Sequence, residues 1–274
     1  MVRVPGDRLK QRAAAALFDV LEPIYFRGVL LPPFTMRRFV GEARWDFGGV
    51  DFRNTGRHLL EKLYDAGLRS DSQVLDIGSG CGRIAIPLTG VIGPSGRYAG
   101  LELSAPLVRW CSTHITPKYP QFQFVHCDLK NPFYNPNGHG DPLTYSFPFD
   151  DGAFDLLIAS SVFTHLLPGI AVHYLEECAR VLSPTGRLFS TFYIVEESIQ
   201  SARSNLRFEH TFEEDARIAD LEHPEAAVGY RLGWVIQGAA KAGLEIEPPV
   251  RWGTWSGRQN GYSGQDVLIF RKTK

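Results

Sequence analysis

The stretch VLDIGSGCGRIAIPL, from Val74 to Leu88, constrains the chain more than any other. An aliphatic run ends in glycines at alternate positions, Gly78, Gly80 and Gly82, and an apolar helical pattern resumes after them. A glycine-rich turn from strand to helix leaves the backbone bare. Its N–H groups and the positive end of the helix dipole then face the crevice at the carboxyl edge of a sheet. A ligand site is expected there, the plainer alternative being a tight turn with no ligand. A dinucleotide fingerprint needs glycines spaced GxGxxG, whereas here the spacing is GxGxG and Arg83 stands where the third fingerprint glycine belongs.

From Ser72 onward, short β-branched runs alternate with helical stretches, which predicts a mostly parallel sheet covered on both faces. Strands are expected near Gln73 to Ile77, Arg97 to Leu103, Phe122 to Cys127, Phe154 to Ser160 and Arg187 to Ile194. Helices are expected near Gly82 to Leu88, Ala105 to Lys118, Ile170 to Leu182 and Gly233 to Ala242, followed by LEIEPPVRW and a final strand DVLIF. The turns GPSG, PFDDGAFD and SPTG mark the starts of the second, fourth and fifth strands. Two regions break the rhythm. Residues 1–54 contain the Pro-, Gly- and aromatic-rich LLPPFTMRRFVGEARWDFGG, and 195–232 form a charged insertion; long segments of this kind are commonly lids or binding elements. A single domain is expected, made of an N-terminal segment (1–54), a core (55–194), a lid insertion (195–232) and a C-terminal helix and strand pair (233–274).

A formal net charge of −1 without blocks of like charge speaks against nucleic acid or an anionic membrane surface and for a small or neutral partner. Nothing approaches the length of a membrane span. The N-terminal apolar stretch, interrupted by Asp19, reads as an amphipathic helix with Asp7 near its cap rather than a targeting peptide. Cys81, Cys111, Cys127 and Cys178 are scattered without a CxxC pair, as expected of reduced, structural thiols in a cytoplasmic protein.

Three successive strands end in an acid. Glu102, 26 residues after Asp76, is placed to accept both hydrogen bonds of a ribose diol. Asp128, in FVHCDL, is placed to accept from an adenine amino group while Leu129 packs on the ring. Together VLDIGSGCGR, LELS, CDL and RVLSPTGRL resemble the successive motifs of class I S-adenosylmethionine-dependent methyltransferases, closely over residues 55 to 194 and more loosely to the C-terminus. The resemblance implies a Rossmann-like α/β fold, doubly wound, with a seven-stranded sheet of order 3-2-1-4-5-7-6 and an antiparallel last strand. It implies S-adenosylmethionine as cofactor and S-adenosylhomocysteine as product. Asp76, Gly78 and Gly80 would surround the methionine portion, Glu102 the ribose and Asp128 the adenine. Ser79, Cys81, Gly82, Arg83, Leu103, Leu129, Ser160 and Ser161 would complete the cofactor site.

The acceptor is less legible. Methyl transfer to a hydroxyl needs a positioned nucleophile and a base. In IASSVFTHLLP the resemblance sets His165 beside the transferred methyl, as a base or as a packing residue. SSVF lacks the [DN]PP[YF] motif of enzymes that methylate nucleobase amino groups. Tyr134, His139, Asp141 and Tyr145, in the long connection after the third strand, are candidate pocket residues, as are Glu42, Arg44 and Trp45. Trp252, Trp255 and Arg258 offer aromatic faces beside polar groups, as a sugar would need, although aromatics between two strands also build cores. The leading expectation is O-methylation of a small hydroxylated acceptor, plausibly a sugar or oligosaccharide, without a metal. The alternatives are N-methylation of a small amine and a catalytically inactive cofactor-binding partner; oligomeric state stays open.

Overall fold

The computed structural model describes residues 14–22, 24–26, 28–41, 49–132, 134–196, 206–213 and 215–273. The chain enters through helical residues 14–21 (α1), a small hairpin of β1 (Tyr25–Phe26) and β2 (Val29–Leu30), and α2 (Phe34–Phe39). Helix α3 (Val50–Asp65) starts inside the segment expected to precede it, from Gly49 in the left-handed region at φ 56°. Then follow β3 (Gln73–Ile77), α4 (Ala85–Leu88), β4 (Arg97–Glu102), α5 (Ala105–His114), β5 (Phe122–His126) and β6 (Phe154–Ala159). Helix α6 (Pro168–Val181) runs into β7 (Leu182–Phe192). After β8 (His210–Glu213), β9 (Ala216–Ile218) and β10 (Val228–Tyr230), the described chain ends with α7 (Leu232–Lys241), β11 (Leu244–Arg251) and β12 (Asp266–Lys272).

The main sheet runs β5-β4-β3-β6-β7-β12-β11, and β12 is antiparallel to both neighbours while the others run parallel. Numbered among themselves, its strands run 3-2-1-4-5-7-6 across the sheet, the doubly wound class that the sequence predicts. Its central strands read as continuous apolar runs because both faces are covered. Leu75 and Ile77 face the cluster built with Leu175 and Cys178 of α6 and Val235 of α7. Val74 faces the opposite cluster, with Leu59 and Leu63 of α3, Leu88 of α4 and Trp110 of α5. Gly56 lies inside α3, where glycine costs about 1 kcal/mol relative to alanine. A Cβ there would stand 2.3 Å from the Arg83 carbonyl oxygen, so the bare position lets α3 press directly onto the backbone of the glycine loop.

The insertion differs from a structureless lid. Strands β8, β9 and β10 form a three-stranded antiparallel sheet, joined to the end of β7 by Val195 N–H to Tyr230 O and Tyr230 N–H to Tyr193 O, both 2.9 Å. Its strands are only three or four residues long, too short to show a period in the sequence. Residues 197–205 lie outside the described part.

Where β12 begins, the fully buried Asp266 gathers three donors: Ile194 N–H at 2.9 Å, Gly253 N–H at 2.7 Å and Trp255 Nε1–H at 2.6 Å. Burial pushes its carboxyl pKa up, while these donors favour the ionised form. Asp266→Ala orphans all three, at about 1–3 kcal/mol for each buried donor, partly offset by removal of a costly buried charge. Denaturant unfolding of that variant should show a loss of about 3 kcal/mol or more; a loss below about 1 kcal/mol would mean the donors find other partners.

Candidate functional site

A cavity of about 820 Å³ opens where β3, β4, β6 and β7 end, at the point where the chain winds from one side of β3 to the other. The glycine loop forms its floor. Gly78 and Ser79 both donate N–H to Leu101 O, at 2.8 and 2.9 Å, which folds the loop back against β4. Glu102 then clasps it: Oε2 accepts Gly80 N–H and Oε1 accepts Ser104 N–H, each at 2.8 Å. Burial raises the Glu102 pKa, and the two N–H groups oppose the rise. A carboxylate has about four acceptor sites, so lone pairs remain for a ligand in the cavity. The buried Ser79 hydroxyl in the wall has no partner among the described residues.

Gly78 and Gly80 have φ of 73° and 57°, in the region that favours glycine. A Cβ on Gly80 would also stand 2.5 Å from Val40 Cγ1. Val40 accepts a hydrogen bond from Arg83 Nη1 at 2.7 Å, so residues 38–41 close over the loop and line the cavity. Glu42, Arg44 and Trp45 lie outside the described residues. Arg37 is buried in an ion pair with Glu22 at 2.5 Å and does not line this cavity.

Several expected contacts are placed elsewhere. Asp76 is buried below the loop, receiving Tyr98 O–H at 2.6 Å. Cys81 packs with Leu31, Phe52 and Leu107. Gly82 faces Ile115 and Cys111. All four cysteines are buried and unbridged, and burial pushes their thiol pKa values up, which leaves them protonated. Asp128 is half-exposed and paired with His139 Nδ1 at 2.7 Å, which holds its pKa below the usual range; Leu129 is core. Neither lines the cavity, which is walled on this side by Cys127, Tyr145 and Phe147. Asp141 caps its own turn through Leu143 N–H at 2.9 Å, away from the cavity.

Gly78, Ser79, Gly80, Arg83, Glu102, Leu103, Tyr134, Tyr145, Ser160, Ser161 and His165 do converge on the cavity. His165 closes a single 3₁₀ turn, Phe163–His165, just past β6. Its Nδ1 lies 2.8 Å from Glu225 O in the small sheet's connection. A carbonyl only accepts, so Nδ1 carries the proton, and in the neutral ring Nε2 keeps a lone pair. Burial lowers the His165 pKa below 6.5, although the Glu225 and Ala226 carbonyls oppose this. Tyr134 stands edge-on to His165 at 5.6 Å and to Phe39 at 5.9 Å.

The aromatic platform expected for a sugar is instead packing. Trp252 lies under Arg258 at 4.2 Å, and Trp255 packs on Tyr193 and Phe208 at 5.2 and 5.4 Å. None of Trp252, Trp255 and Arg258 lines the cavity. Thr191, Tyr193 and Gln265 do, and single-residue reading of the sequence misses them. The available signal is topological: an antiparallel last strand brings the residues before DVLIF to the edge where β7 ends.

The Asp76 carboxyl pKa is pushed up to about 7, first by burial, against the Tyr98 hydrogen bond and Arg83. The folded chain therefore keeps a proton that the unfolded chain releases near pH 4. Its stabilising contribution is complete below that pH and is lost as pH rises to about 7. Asp76→Asn should flatten this part of the pH–stability curve in denaturant unfolding; an unchanged slope between pH 4 and 7 would mean that Asp76 ionises without cost.

Residues 74–186 match the family described as Methyltransferase domain. Arsenite methyltransferase of Aquipseudomonas alcaligenes is 30% identical over 117 residues, 43% of this chain and 31% of that protein. Nocamycin O-methyltransferase of Saccharothrix syringae is 30% identical over 148 residues, 53% of this chain and 45% of that protein. The chain thus spans less than half the length of each of these relatives. The solved structure of the PH0226 protein from Pyrococcus horikoshii OT3 shares the fold, with a TM-score of 0.57 at 17% identity over 83% of this chain and 94% of that one. Residues 74–186, which hold the glycine loop and the centre of the main sheet, are thus similar to a methyltransferase domain.

Proposed function

We propose that this chain transfers the methyl group of S-adenosylmethionine to a hydroxyl of a small acceptor, releasing S-adenosylhomocysteine. The residues fit such a cofactor. Glycines leave room on the loop, the Ser79 hydroxyl awaits a partner, and Glu102 has acceptor sites for a ribose diol. Leu103, Cys127 and Tyr145 offer an apolar wall for a base, the packing role first expected of Leu129. The sulfonium supplies an electrophilic methyl for in-line displacement, and the protein must orient the nucleophile, keep water out and accept a proton.

The observation that carries the hydroxyl reading is His165. Its Nδ1–H is committed to Glu225 O, and its lowered pKa keeps the ring neutral near pH 7, so Nε2 is free to take the acceptor's proton as the oxygen–methyl bond forms. Charge supports this reading over methylation of an amine. Among the described residues, Glu102 is the only carboxylate lining the cavity, and it is held by two N–H groups beside Arg38 and Arg83. An ammonium would find no counter-charge there. An inactive binding partner would not need a base of fixed tautomer.

Two sets of variants test the reading. His165→Ala should lower kcat by about 10² to 10⁴-fold with cofactor affinity nearly unchanged. The wild-type rate should rise with pH through an apparent pKa below 6.5 and level off from neutrality upward, because the base is active when unprotonated. A near-normal kcat in the variant would remove His165 from the reaction. In calorimetry, Gly80→Val should abolish cofactor binding, and Glu102→Ala should weaken it by about 1.5–3 kcal/mol, the scale of a hydrogen bond to a charged group. Wild-type affinity in both would overturn the cofactor site.

A further inference from the structure

Four polar side chains at the acceptor end of the cavity are wired in one direction. Ser161, a non-glycine residue at φ 57°, donates its N–H to Thr191 Oγ1 at 2.7 Å. The Thr191 hydroxyl proton goes to Gln265 Oε1 at 2.6 Å, and the same oxygen receives Ser161 Oγ–H at 2.9 Å. The 2.6 Å contact has the length of an O–H···O bond and is short for N–H···O, which assigns that atom as the amide oxygen. Gln265 Nε2 therefore faces the Tyr193 hydroxyl, at 3.2 Å, and can only donate to it. The Tyr193 proton is thus turned away from Gln265. Tyr193 lines the cavity, and among the described residues no acceptor receives that proton. Burial raises the phenol pKa, so it stays a donor. The ring is held by Phe208 at 5.3 Å and Trp255 at 5.2 Å, and Trp255 is itself anchored on Asp266.

We infer that Tyr193 recognises the acceptor, donating its O–H to a second oxygen of that molecule while His165 Nε2 takes the proton of the hydroxyl to be methylated. The acceptor class is accordingly a hydroxyl compound that also carries a hydrogen-bond-accepting oxygen, such as a carbonyl. This rests on the methyl-transfer reading above. The two groups have opposite hydrogen-bonding sense, one donor and one acceptor. Tyr134 stands edge-on to His165 at 5.6 Å and lines the same cavity as Tyr193. Phe39 and Tyr134 give this end aromatic walls suited to a flat acceptor.

The test compares near-isosteric probes that differ in one oxygen: the three hydroxyacetophenone isomers and the three matching ethylphenols. Dissociation constants are measured by calorimetry on the full chain saturated with S-adenosylhomocysteine. At least one hydroxyacetophenone should bind about tenfold or more tightly than its ethylphenol, one good hydrogen bond being worth about a factor of ten. Tyr193→Phe should erase that preference while affinity for S-adenosylhomocysteine stays within about twofold of wild type. Gln265→Glu should do the same with Tyr193 still present, because a carboxylate there accepts the phenol proton and turns it from the cavity. A preference that survives in both variants would overturn the role of Tyr193. Absence of any preference in the wild type would overturn the acceptor class. Failure of the wild type to bind S-adenosylhomocysteine would instead strike the methyl-transfer reading itself.

Discussion

The half-buried carboxylate of Glu102 holds the site together. By accepting Gly80 N–H and Ser104 N–H at once, it ties the glycine loop after β3 to the turn that opens α5. The loop's path is then set from both sides: Leu101 O receives its first two N–H groups, and the backbone of α3 presses on it at Gly56. Val40 covers it from above. A loop clamped in this way presents its bare backbone to the cavity without reorganisation, which is how a folded chain lowers the cost of binding.

A second carboxylate plays the matching part at the opposite end. Asp266 collects donors from the chain after β7 and from the loop before β12, and fixes the junction between these two strands. Gln265 and Tyr193 flank this junction, so an anchor built for the core also positions two polar side chains of the cavity wall. The small sheet adds the third element. Its connection carries the Glu225 carbonyl that decides which nitrogen of His165 holds the proton. An insertion beside the core thus fixes the tautomer of a residue within it.

Burial acts on the ionisable groups in opposite senses. It raises the carboxyl pKa values of Asp76 and Glu102, favouring protonated acids, and lowers that of His165, favouring a neutral base. The bonds that each group makes then differentiate them. Glu102 is drawn back toward ionisation by backbone N–H groups, and Asp76 keeps only Tyr98 and a distant Arg83. Asp76 therefore supports the loop from below, while Glu102 faces the ligand space.

The glycine loop, the alternation of strands and helices and the acid ending β4 were legible in the sequence, because each is a local pattern with a local cause. A run such as VLDI must be buried on both faces, and glycines at alternate positions must turn the chain. His165 was legible for the same reason, as a residue a few positions past a strand end. The three-stranded sheet was hidden because its strands are only three or four residues long, and Trp255 was ambiguous because a large aromatic with one N–H suits a ligand wall and a core equally. What tertiary structure alone decided is the polar end of the cavity. Ser161, Thr191, Tyr193 and Gln265 come from three strand ends up to 104 positions apart, and Glu225 from a fourth segment. Their relation depends on β12 running antiparallel beside β7, a pairing set by long-range packing that leaves no local period in the chain.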